Sequence, residues 1–241
     1  MTLKIALVGY GSMGKEVEKA AKQKGIEISE IFDLDNPLIP RNKFSFDVAI
    51  DFSLPDAVLN NVKILAENKI NCVIGTTGWY EKMPEISAIV LESGIGCVYG
   101  SNFSIGMNYF FKLVEFAAKE LNKFEDYDIF LHEFHHKRKK DSPSGTALSL
   151  GNIILNNFSK KTKIDSNKID GIIDETTLHI SSTRGGEVVG IHNIFIDSIS
   201  DTIELSHIAK NRSGFALGAL EAAKWIDGKK GFYDFRDIFM S

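Results

Sequence analysis

The sequence lacks any hydrophobic run long enough to cross a membrane, and it has only two cysteines and five prolines in 241 positions. A transmembrane helix needs about 18 or more consecutive apolar residues, so we expect no membrane partner. The cysteines, Cys72 and Cys97, sit in short apolar runs and are expected to be buried free thiols. The N-terminus shows no secretory pattern, so the expected location is the cytoplasm. The net charge of −4 argues against a nucleic acid as the main partner.

Short apolar runs alternate with helical stretches over the first hundred residues. This alternation indicates βαβ units and therefore a parallel sheet. The helix after the first run is expected to end at Gly25, because glycine readily adopts the left-handed conformation that ends helices. The helix after the third run is expected to begin at Ser53, a typical N-cap residue. The apolar runs occupy residues 4–8, 26–32, 47–52, 72–77 and 96–100.

Three strand-like runs follow one another in the second half of the chain, at 176–184, 187–197 and 202–210. Consecutive strands indicate an antiparallel or mixed sheet, and the paired glycines Gly185 and Gly186 predict a hairpin between the first two. The predicted fold class is α/β, with an N-terminal Rossmann-type parallel sheet and a C-terminal α+β domain that has a mixed, mostly antiparallel sheet. The predicted first domain is 1–103, with 213–241 returning to it, and the second is 104–212.

A glycine-rich turn connects the first strand to the first helix and fits the pattern G-x-G-x-x-G. In this pattern the first glycine makes a tight turn, the second lets a pyrophosphate approach the backbone, and the third lets the helix pack on the strand. The helix N-terminus favours an anion. The sequence therefore predicts dinucleotide binding, although a glycine turn without a ligand is an alternative. The residues of the turn are Gly9, Tyr10, Gly11, Ser12, Met13 and Gly14.

Asp33 closes the second strand, at the spacing expected for an acceptor of the ribose hydroxyls. A carboxylate here repels the 2′-phosphate of NADP, and no basic residue follows before Arg41. NADH is therefore the expected preferred cofactor. The sequence leaves NADPH open as a second cofactor, because Lys43 could fold back towards this site.

The stretch LHEFHH contains a possible zinc motif, in which His132, Glu133 and His136 fit H-E-x-x-H. The motif needs a helix, because only there do residues four apart share a face. The run leading into it is aromatic and β-branched, and a proline, Pro143, follows soon after, so we predict a strand. On a strand the two histidines would lie roughly 13 Å apart. We therefore expect no metal site.

Basic and anion-binding groups gather after this strand. His135 and His136 end it, a basic run spans 137–140, and the segment Pro143-Ser144-Gly145-Thr146 begins a helix whose amides can hold a carboxylate. These groups predict a pocket for a small dicarboxylate. A solvated surface is the expected role of Lys137, Arg138 and Lys140, and the acidic chain around them disfavours a nucleic-acid patch.

The segment HHKRKKDSPSGTA resembles the H-H-x-x-K-x-D-x-P-S-G-T-A signature of the dihydrodipicolinate reductase family. The similarity extends along the chain, through VGYGSMG, DFS, GTTG, SNFSIGMN and RGGEVVG to Arg212 and the final GFYDF. The resemblance implies that the protein reduces 4-hydroxy-tetrahydrodipicolinate, via dihydrodipicolinate, to tetrahydrodipicolinate with NAD(P)H. This reaction belongs to lysine and diaminopimelate biosynthesis.

The resemblance also implies roles for individual residues. His135 would be the proton donor and Lys139 the cation that assists it. The substrate carboxylates would be held by His136, Ser144, Gly145 and Thr146. Arg184 resembles a family arginine whose role the sequence does not fix, and the family forms homotetramers through the second domain. The residues expected near the nicotinamide are Phe52, Ser53, Gly75, Thr76, Thr77, Ser101, Asn102 and Phe103.

Two other functions are compatible with a dinucleotide motif and an anion pocket. A related dehydrogenase could act on another small anionic imine or amino acid, such as aspartate. A regulatory protein could bind NADH without turnover. Turnover of the dihydrodipicolinate precursor separates the reductase from both alternatives.

Overall fold

The computed structural model describes residues 3–238. The two N-terminal and three C-terminal residues, which belong to the predicted first domain, lie outside the described part. The chain forms two compact units. The first unit runs to Ile105 and resumes at Arg212, and the second unit is Gly106–Asn211.

Each unit is built around one sheet. In chain order the strands are β1 (Lys4–Val8), β2 (Glu27–Phe32), β3 (Val48–Asp51), β4 (Asn71–Ile74), β5 (Gly96–Tyr99), β6 (Asp128–His135), β7 (Lys163–Asp165), β8 (Thr177–Arg184), β9 (Gly190–Asp197), β10 (Thr202–Ala209) and β11 (Gly231–Asp234). The α-helices are α1 (Ser12–Lys24), α2 (Val58–Glu67), α3 (Met83–Ser93), α4 (Ile105–Leu121), α5 (Gly145–Asn157), α6 (Ser213–Ile226) and α7 (Phe235–Ile238).

The sheet of the first unit is parallel throughout, with the strand order β11-β5-β4-β3-β1-β2, which confirms the predicted Rossmann-type sheet. Successive side chains of a strand point to opposite faces, so each face of this sheet needs its own cover. Helices α2 and α3 pack on one face and α1 and α6 on the other. Both faces are therefore buried, which explains the continuous apolar runs of the sequence.

The limits of two helices test the predicted caps. Helix α1 ends before Gly25, whose φ of 67° is the left-handed conformation that the sequence predicted. Helix α2 begins at Val58, so the prediction that it starts at Ser53 was wrong. The backbone N–H of Ser53 instead donates to Asp51 Oδ1 at 2.8 Å, and this contact holds Ser53 in a turn before the helix.

The second sheet has the order β10-β9-β6-β8-β7 and is mixed, as predicted. Its pairings divide evenly, with two antiparallel and two parallel, so it is less antiparallel than the sequence indicated. The predicted hairpin was wrong, because β6 lies between β8 and β9. The Gly185–Gly186 link instead crosses the end of β6, where Gly185 N–H donates to His135 O at 2.9 Å.

Helices α4 and α5 cover one face of the second sheet, around Val114, Leu150 and Ile154. The other face is partly open, and Phe130 there is 40% exposed. Within the described residues, no helix combines the length and the apolar character that crossing a membrane requires.

Candidate active site

The glycine turn of the first unit has the geometry that its pattern predicts. Gly9 has a φ of 91°, and a Cβ at this position would lie 2.4 Å from the carbonyl oxygen of Phe52. A Cβ on Gly14 would lie 2.3 Å from the carbonyl oxygen of Gly9, so α1 packs directly on the turn. A Cβ on Gly11 would meet nothing within 4 Å. The space in front of α1 is therefore open at the point where a pyrophosphate needs it.

The start of α1 leaves its backbone N–H groups available to an anion, because the N-cap Gly11 has no side chain to accept from them. Tyr10 donates its hydroxyl to Glu18. Arg212 donates to Ser12 Oγ at 2.7 Å and brings a cation to this helix end. The sequence indicated Arg212 only as part of a family motif, since the residue lies 200 positions after Ser12.

A cavity of about 550 Å³ extends from the glycine turn to the end of β2. Asp33 lies on its wall, and Asp33 Oδ1 accepts from the backbone N–H groups of Asp35 and Asn36 at 3.0 and 2.9 Å. This turn fixes the Asp33 carboxylate beside the cavity. Leu34 follows with 85% exposure and is an apolar neighbour of the carboxylate.

The carboxylate of Asp51, a residue that the sequence analysis missed, joins the loops after β3 and β4. Asp51 is buried, and its Oδ1 accepts from Ser53 N–H and from Thr76 Oγ1, each at 2.8 Å. Asn61 donates to its Oδ2 at 2.9 Å. The DFS motif contained this residue, but only the fold shows that it organises both loops.

The residues predicted near the nicotinamide divide into exposed and supporting ones. Thr77 and Ser101 are exposed, whereas Thr76 is bound to Asp51. Phe103 is buried, with its ring centroid 6.3 Å from that of Phe52, so it supports the loop as part of the core. In the same region, Asn102 accepts from Ser104 N–H, and Gly75 packs so closely on Phe52 that a Cβ would overlap the ring.

In the second unit, a buried carboxylate on β6 contacts several residues of the predicted site. Glu133 has no exposure to solvent and points to the face that carries α5. Burial alone raises the pKa of the Glu133 carboxyl, but contacts with His135, His192, Ser144 and Arg184 outweigh burial and hold the pKa well below its usual range. The groups around the carboxylate are Arg184 Nη2 at 2.7 Å, Ser182 Oγ at 2.8 Å, Ser144 N at 2.9 Å, His135 Nδ1 at 3.3 Å, His192 Nε2 at 3.6 Å and the Ser144 hydroxyl.

The loop after β6 presents Lys139. Its ammonium lies 2.8 Å from Asp141 Oδ1, and this contact lowers the pKa of Asp141. Arg184 donates to the carbonyl oxygen of Asp141 at 2.8 Å and also to Glu133. Arg184 therefore fastens the lysine loop to the buried carboxylate, which gives a structural role to an arginine whose role the sequence left open.

The start of α5 has a buried residue, Ser144, and two residues that are more accessible to solvent. Ser144 is buried, its hydroxyl donates to Glu133, and its oxygen accepts from Ala147 N–H at 3.1 Å. These contacts make Ser144 the N-cap of α5, so its hydroxyl is already engaged. Gly145 is exposed and Thr146 half-buried, and both lie in the first turn, where backbone N–H groups have no partner within the helix.

The residues of the possible zinc motif do not gather. They belong to strand β6 and its end, as predicted, and His132 lies on the face of the sheet opposite to Glu133, where it contacts Thr183 Oγ1 at 3.0 Å. A different trio, Glu133, His135 and His192, has ligand atoms within 4.8 Å of one another. Because Arg184 and two serine hydroxyls already neutralise and bind the carboxylate, a cation there would compete with existing partners.

The remaining basic residues of the segment lie at the surface, as predicted. Lys137, Arg138 and Lys140 are exposed, and Arg138 pairs with Glu187. His136, next to the strand end, is half-buried and accepts the N–H of Lys139 with its carbonyl oxygen. The candidate catalytic and anion-binding groups of the second unit are therefore His135, His136, Lys139 and the start of α5.

Family models match both parts of the chain. The model described as "Dihydrodipicolinate reductase, N-terminus" matches residues 3–103, and "Dihydrodipicolinate reductase, C-terminus" matches residues 106–239. The 4-hydroxy-tetrahydrodipicolinate reductase of Christiangramia forsetii is 38% identical over 238 residues, which are 98% of this chain and 97% of that protein. The protein of the same name from Methanococcus aeolicus is 39% identical over 222 residues, 86% of this chain and 80% of its own.

A solved structure has a similar fold. The dipicolinate-bound dihydrodipicolinate reductase from Paenisporosarcina sp. TG-14 superimposes with a TM-score of 0.80 over 99% of this chain and 100% of that chain. The sequences are 22% identical. At this identity the comparison establishes the shared fold.

Proposed function

The chain belongs to the dihydrodipicolinate reductase family, and we propose that it reduces 4-hydroxy-tetrahydrodipicolinate, via dihydrodipicolinate, to tetrahydrodipicolinate. As in its family, the reductant is NAD(P)H and the reaction belongs to lysine and diaminopimelate biosynthesis. Loss of water from the hydroxylated ring gives a conjugated imine. Reduction then consumes one hydride and one proton.

The first unit supplies a dinucleotide site. The open space at Gly11, the uncapped start of α1 and the Arg212 guanidinium fit a pyrophosphate. Asp33 would accept from the ribose hydroxyls, and the loops at Phe52, Ser53 and Gly75 to Thr77, with Ser101 and Asn102, would border the nicotinamide. Bound NAD(P)H would supply the hydride.

The surroundings of Asp33 favour NADH over NADPH. Arg41, the first basic residue after Asp33, pairs with Glu30, and its guanidinium lies 4.2 Å from the centre of the Phe44 ring. Lys43 lines a separate cavity at the amino ends of the strands. Neither cation is therefore placed to neutralise a 2′-phosphate beside the Asp33 carboxylate.

The second unit supplies the proton and the anion site. His135 donates a proton to the electron-rich enamine that hydride addition leaves, and Lys139 stabilises negative charge as the hydride arrives. A histidine suits this role because its pKa is ordinarily near neutrality. General acid catalysis of this kind is typically worth about 10² to 10⁴ in rate.

The substrate carboxylates are held by His136 and by the backbone N–H groups of the first turn of α5, at Gly145 and Thr146. Ser144 contributes by holding the start of α5, since its hydroxyl is bound to Glu133. This assignment rests on one observation, which is that a single buried carboxylate contacts all three parts of the proposed site. Glu133 contacts His135, accepts from Ser144 at the start of α5, and holds the Lys139 loop through Arg184.

A coupled assay tests the function. Pyruvate and aspartate semialdehyde are fed to a synthase that generates the unstable substrate, and nicotinamide absorbance is followed with NADH and NADPH in parallel, with and without chelator. We expect chelator-insensitive oxidation that requires the synthase and is faster with NADH. Binding of NADH without oxidation would contradict the reductase and leave a regulator or a dehydrogenase of another substrate, which aspartate as substrate would then test.

We also propose that the protein assembles as a homotetramer through the open face of the second sheet. Phe130 and Phe195 stack there with ring centroids 5.1 Å apart, and Ile208 is 62% exposed. Such a face favours burial against another chain. Analytical ultracentrifugation should give a tetramer for the wild type and a smaller species for Phe130→Glu.

A cytoplasmic location is supported by two buried free thiols, Cys72 and Cys97.

A further inference from the structure

Glu133 is the most enclosed charged side chain of the second unit, yet the proton donation and anion binding described above do not use it directly. A buried carboxylate is costly unless it is paired and hydrogen-bonded. Here both oxygens are engaged, Oε1 with Arg184, Ser182 and the Ser144 backbone and Oε2 with the Ser144 hydroxyl. The remaining neighbours of Oε2 are the imidazoles of His135 and His192.

The two nitrogens of the His135 ring have different surroundings. Nδ1 lies 3.3 Å from Glu133 Oε2, a distance that forms an ion pair when the ring is protonated. Nε2 faces Gly190, where a Cβ would approach to 3.1 Å. A side chain at this position would crowd Nε2, which the glycine avoids. The ring is buried, with a carboxylate near Nδ1 and a glycine near Nε2.

We propose that Glu133 is a positioning residue of the reaction, which orients His135 through Nδ1 so that Nε2 delivers the proton. This inference rests on the proposed function, in which His135 is the proton donor. A carboxylate behind an imidazole fixes its orientation and tautomer and stabilises the imidazolium, as in serine hydrolases, where the imidazole also transfers protons. Through Ser144 and Arg184 the same carboxylate fixes the start of α5 and the Lys139 loop.

Charged and titratable groups surround the His135 ring. The groups that face the ring from the packed strands are Glu133 on β6, Arg184 on β8 and His192 on β9, and Lys139 lies on the following loop. Burial lowers the pKa of His192. Glu133 is the one negative charge among these four groups.

The experiment compares Glu133→Gln, which removes the charge and keeps the size, with Glu133→Asp, which keeps the charge. Both are measured in the synthase-coupled assay as kcat and KM against pH, and NADH binding is measured by fluorescence. We expect Glu133→Gln to lower kcat by about 10- to 100-fold, a loss of the size found when the partner that orients a metal-bound histidine is removed, with NADH affinity changed less than about twofold. The dependence of its kcat on pH should also differ from that of the wild type, because the substitution removes the negative charge 3.3 Å from the imidazole.

A double variant separates positioning from a general loss of structure. If Glu133 acts through His135, adding Glu133→Gln to His135→Gln should lower kcat less than about threefold further, since residues that act as a unit are not additive. For Glu133→Asp, kcat should begin to fall at the same pH as it does for the wild type. An equal loss of kcat in both backgrounds, or a Glu133→Gln pH profile that matches the wild type, would overturn the proposal.

Two controls keep the interpretation specific. Turnover by the wild-type protein tests the reductase itself, so absence of wild-type activity counts against the function and not against Glu133. Chelator and added Zn²⁺ test whether Glu133, His135 and His192 act as metal ligands instead. Loss of wild-type activity in chelator, restored by Zn²⁺, would overturn the positioning role.

Discussion

Thr76 Oγ1 donates a hydrogen bond to Asp51 Oδ1 over 2.8 Å, and both residues are buried. The contact joins the loop after β4 to the end of β3, and the second oxygen of the carboxylate binds Asn61. Both loops border the proposed nicotinamide site. The cofactor loops are thus held together by one buried anion in the first unit, much as Glu133 holds the histidine, the lysine loop and the start of α5 in the second.

Asp51→Asn should therefore weaken cofactor binding and stability together. The new amide presents a donor to neighbours that are already donors, and an unsatisfied buried group costs about 1 to 3 kcal/mol. We expect a raised KM for NADH and a lower melting temperature. Asp47→Asn, at the exposed residue that directly precedes the same strand, is the matched control. Equal effects of the two substitutions would contradict a special role for Asp51.

Two glycines of the turn should respond differently to alanine. The methyl group added by Gly11→Ala meets no neighbour within 4 Å, so the protein should fold with a loss of stability of about 0.5 kcal/mol or less. Its NADH affinity should fall about tenfold, because the methyl group occupies the space proposed for the pyrophosphate. Gly14→Ala overlaps the Gly9 carbonyl and should destabilise the unit by about 1 to 3 kcal/mol. Calorimetric binding and thermal melting separate the two effects. A Gly11→Ala protein that binds NADH normally would count against a cofactor at this turn.

Asp33→Ala should weaken the binding of NADH more than the binding of NADPH. The substitution removes a charged hydrogen bond to the ribose, which is worth about 1.5 to 3 kcal/mol, or roughly 10- to 100-fold in affinity. It also removes the repulsion of a 2′-phosphate. The ratio of kcat/KM for the two cofactors is the measurement, with Asp35→Ala as control. An unchanged ratio would show that another residue sets the preference.

His135→Gln should lower kcat by about 10² to 10⁴ with little change in NADH binding, because the variant loses only the proton donor. Lys139→Ala should act in the same direction. Lys140→Ala, one residue further along the same loop and exposed, is the matched control and should retain activity. A loss of NADH binding with normal turnover of the bound fraction would refute these roles.

The stability of the folded protein should fall as the pH decreases below about 6.5, the ordinary pKa of histidine. Burial lowers the pKa of His132, His192 and His207, so in this range the unfolded chain binds protons that the folded chain does not. Melting temperatures measured at pH 7.5 and 5.5 should differ, and His207→Gln should reduce the difference. A difference as large in His207→Gln as in the wild type would exclude a contribution from this residue.

Local signals were sufficient for much of the fold and for part of the site. The apolar runs, the glycine turn and the strand at His135 each follow from backbone constraints within a few neighbouring residues, so the Rossmann-type sheet, the end of α1 at Gly25 and the rejection of a helical zinc motif were predictable. Ser53 was misplaced because its backbone N–H donates to the nearby Asp51 carboxylate, which is itself held by Thr76 and Asn61, and this contact keeps Ser53 in a turn before the helix.

The sequence by itself determined most of the elements, the glycine turn and, through its resemblance to a family, the residue types of the proposed active site. The tertiary structure decided which of these residues contact one another. Strand β6 enters between β8 and β9, and only this order places Ser182, Arg184 and His192 around Glu133. Partners up to 51 residues away in the sequence supply hydrogen bonds to that carboxylate, and no local pattern encodes a contact that depends on strand order.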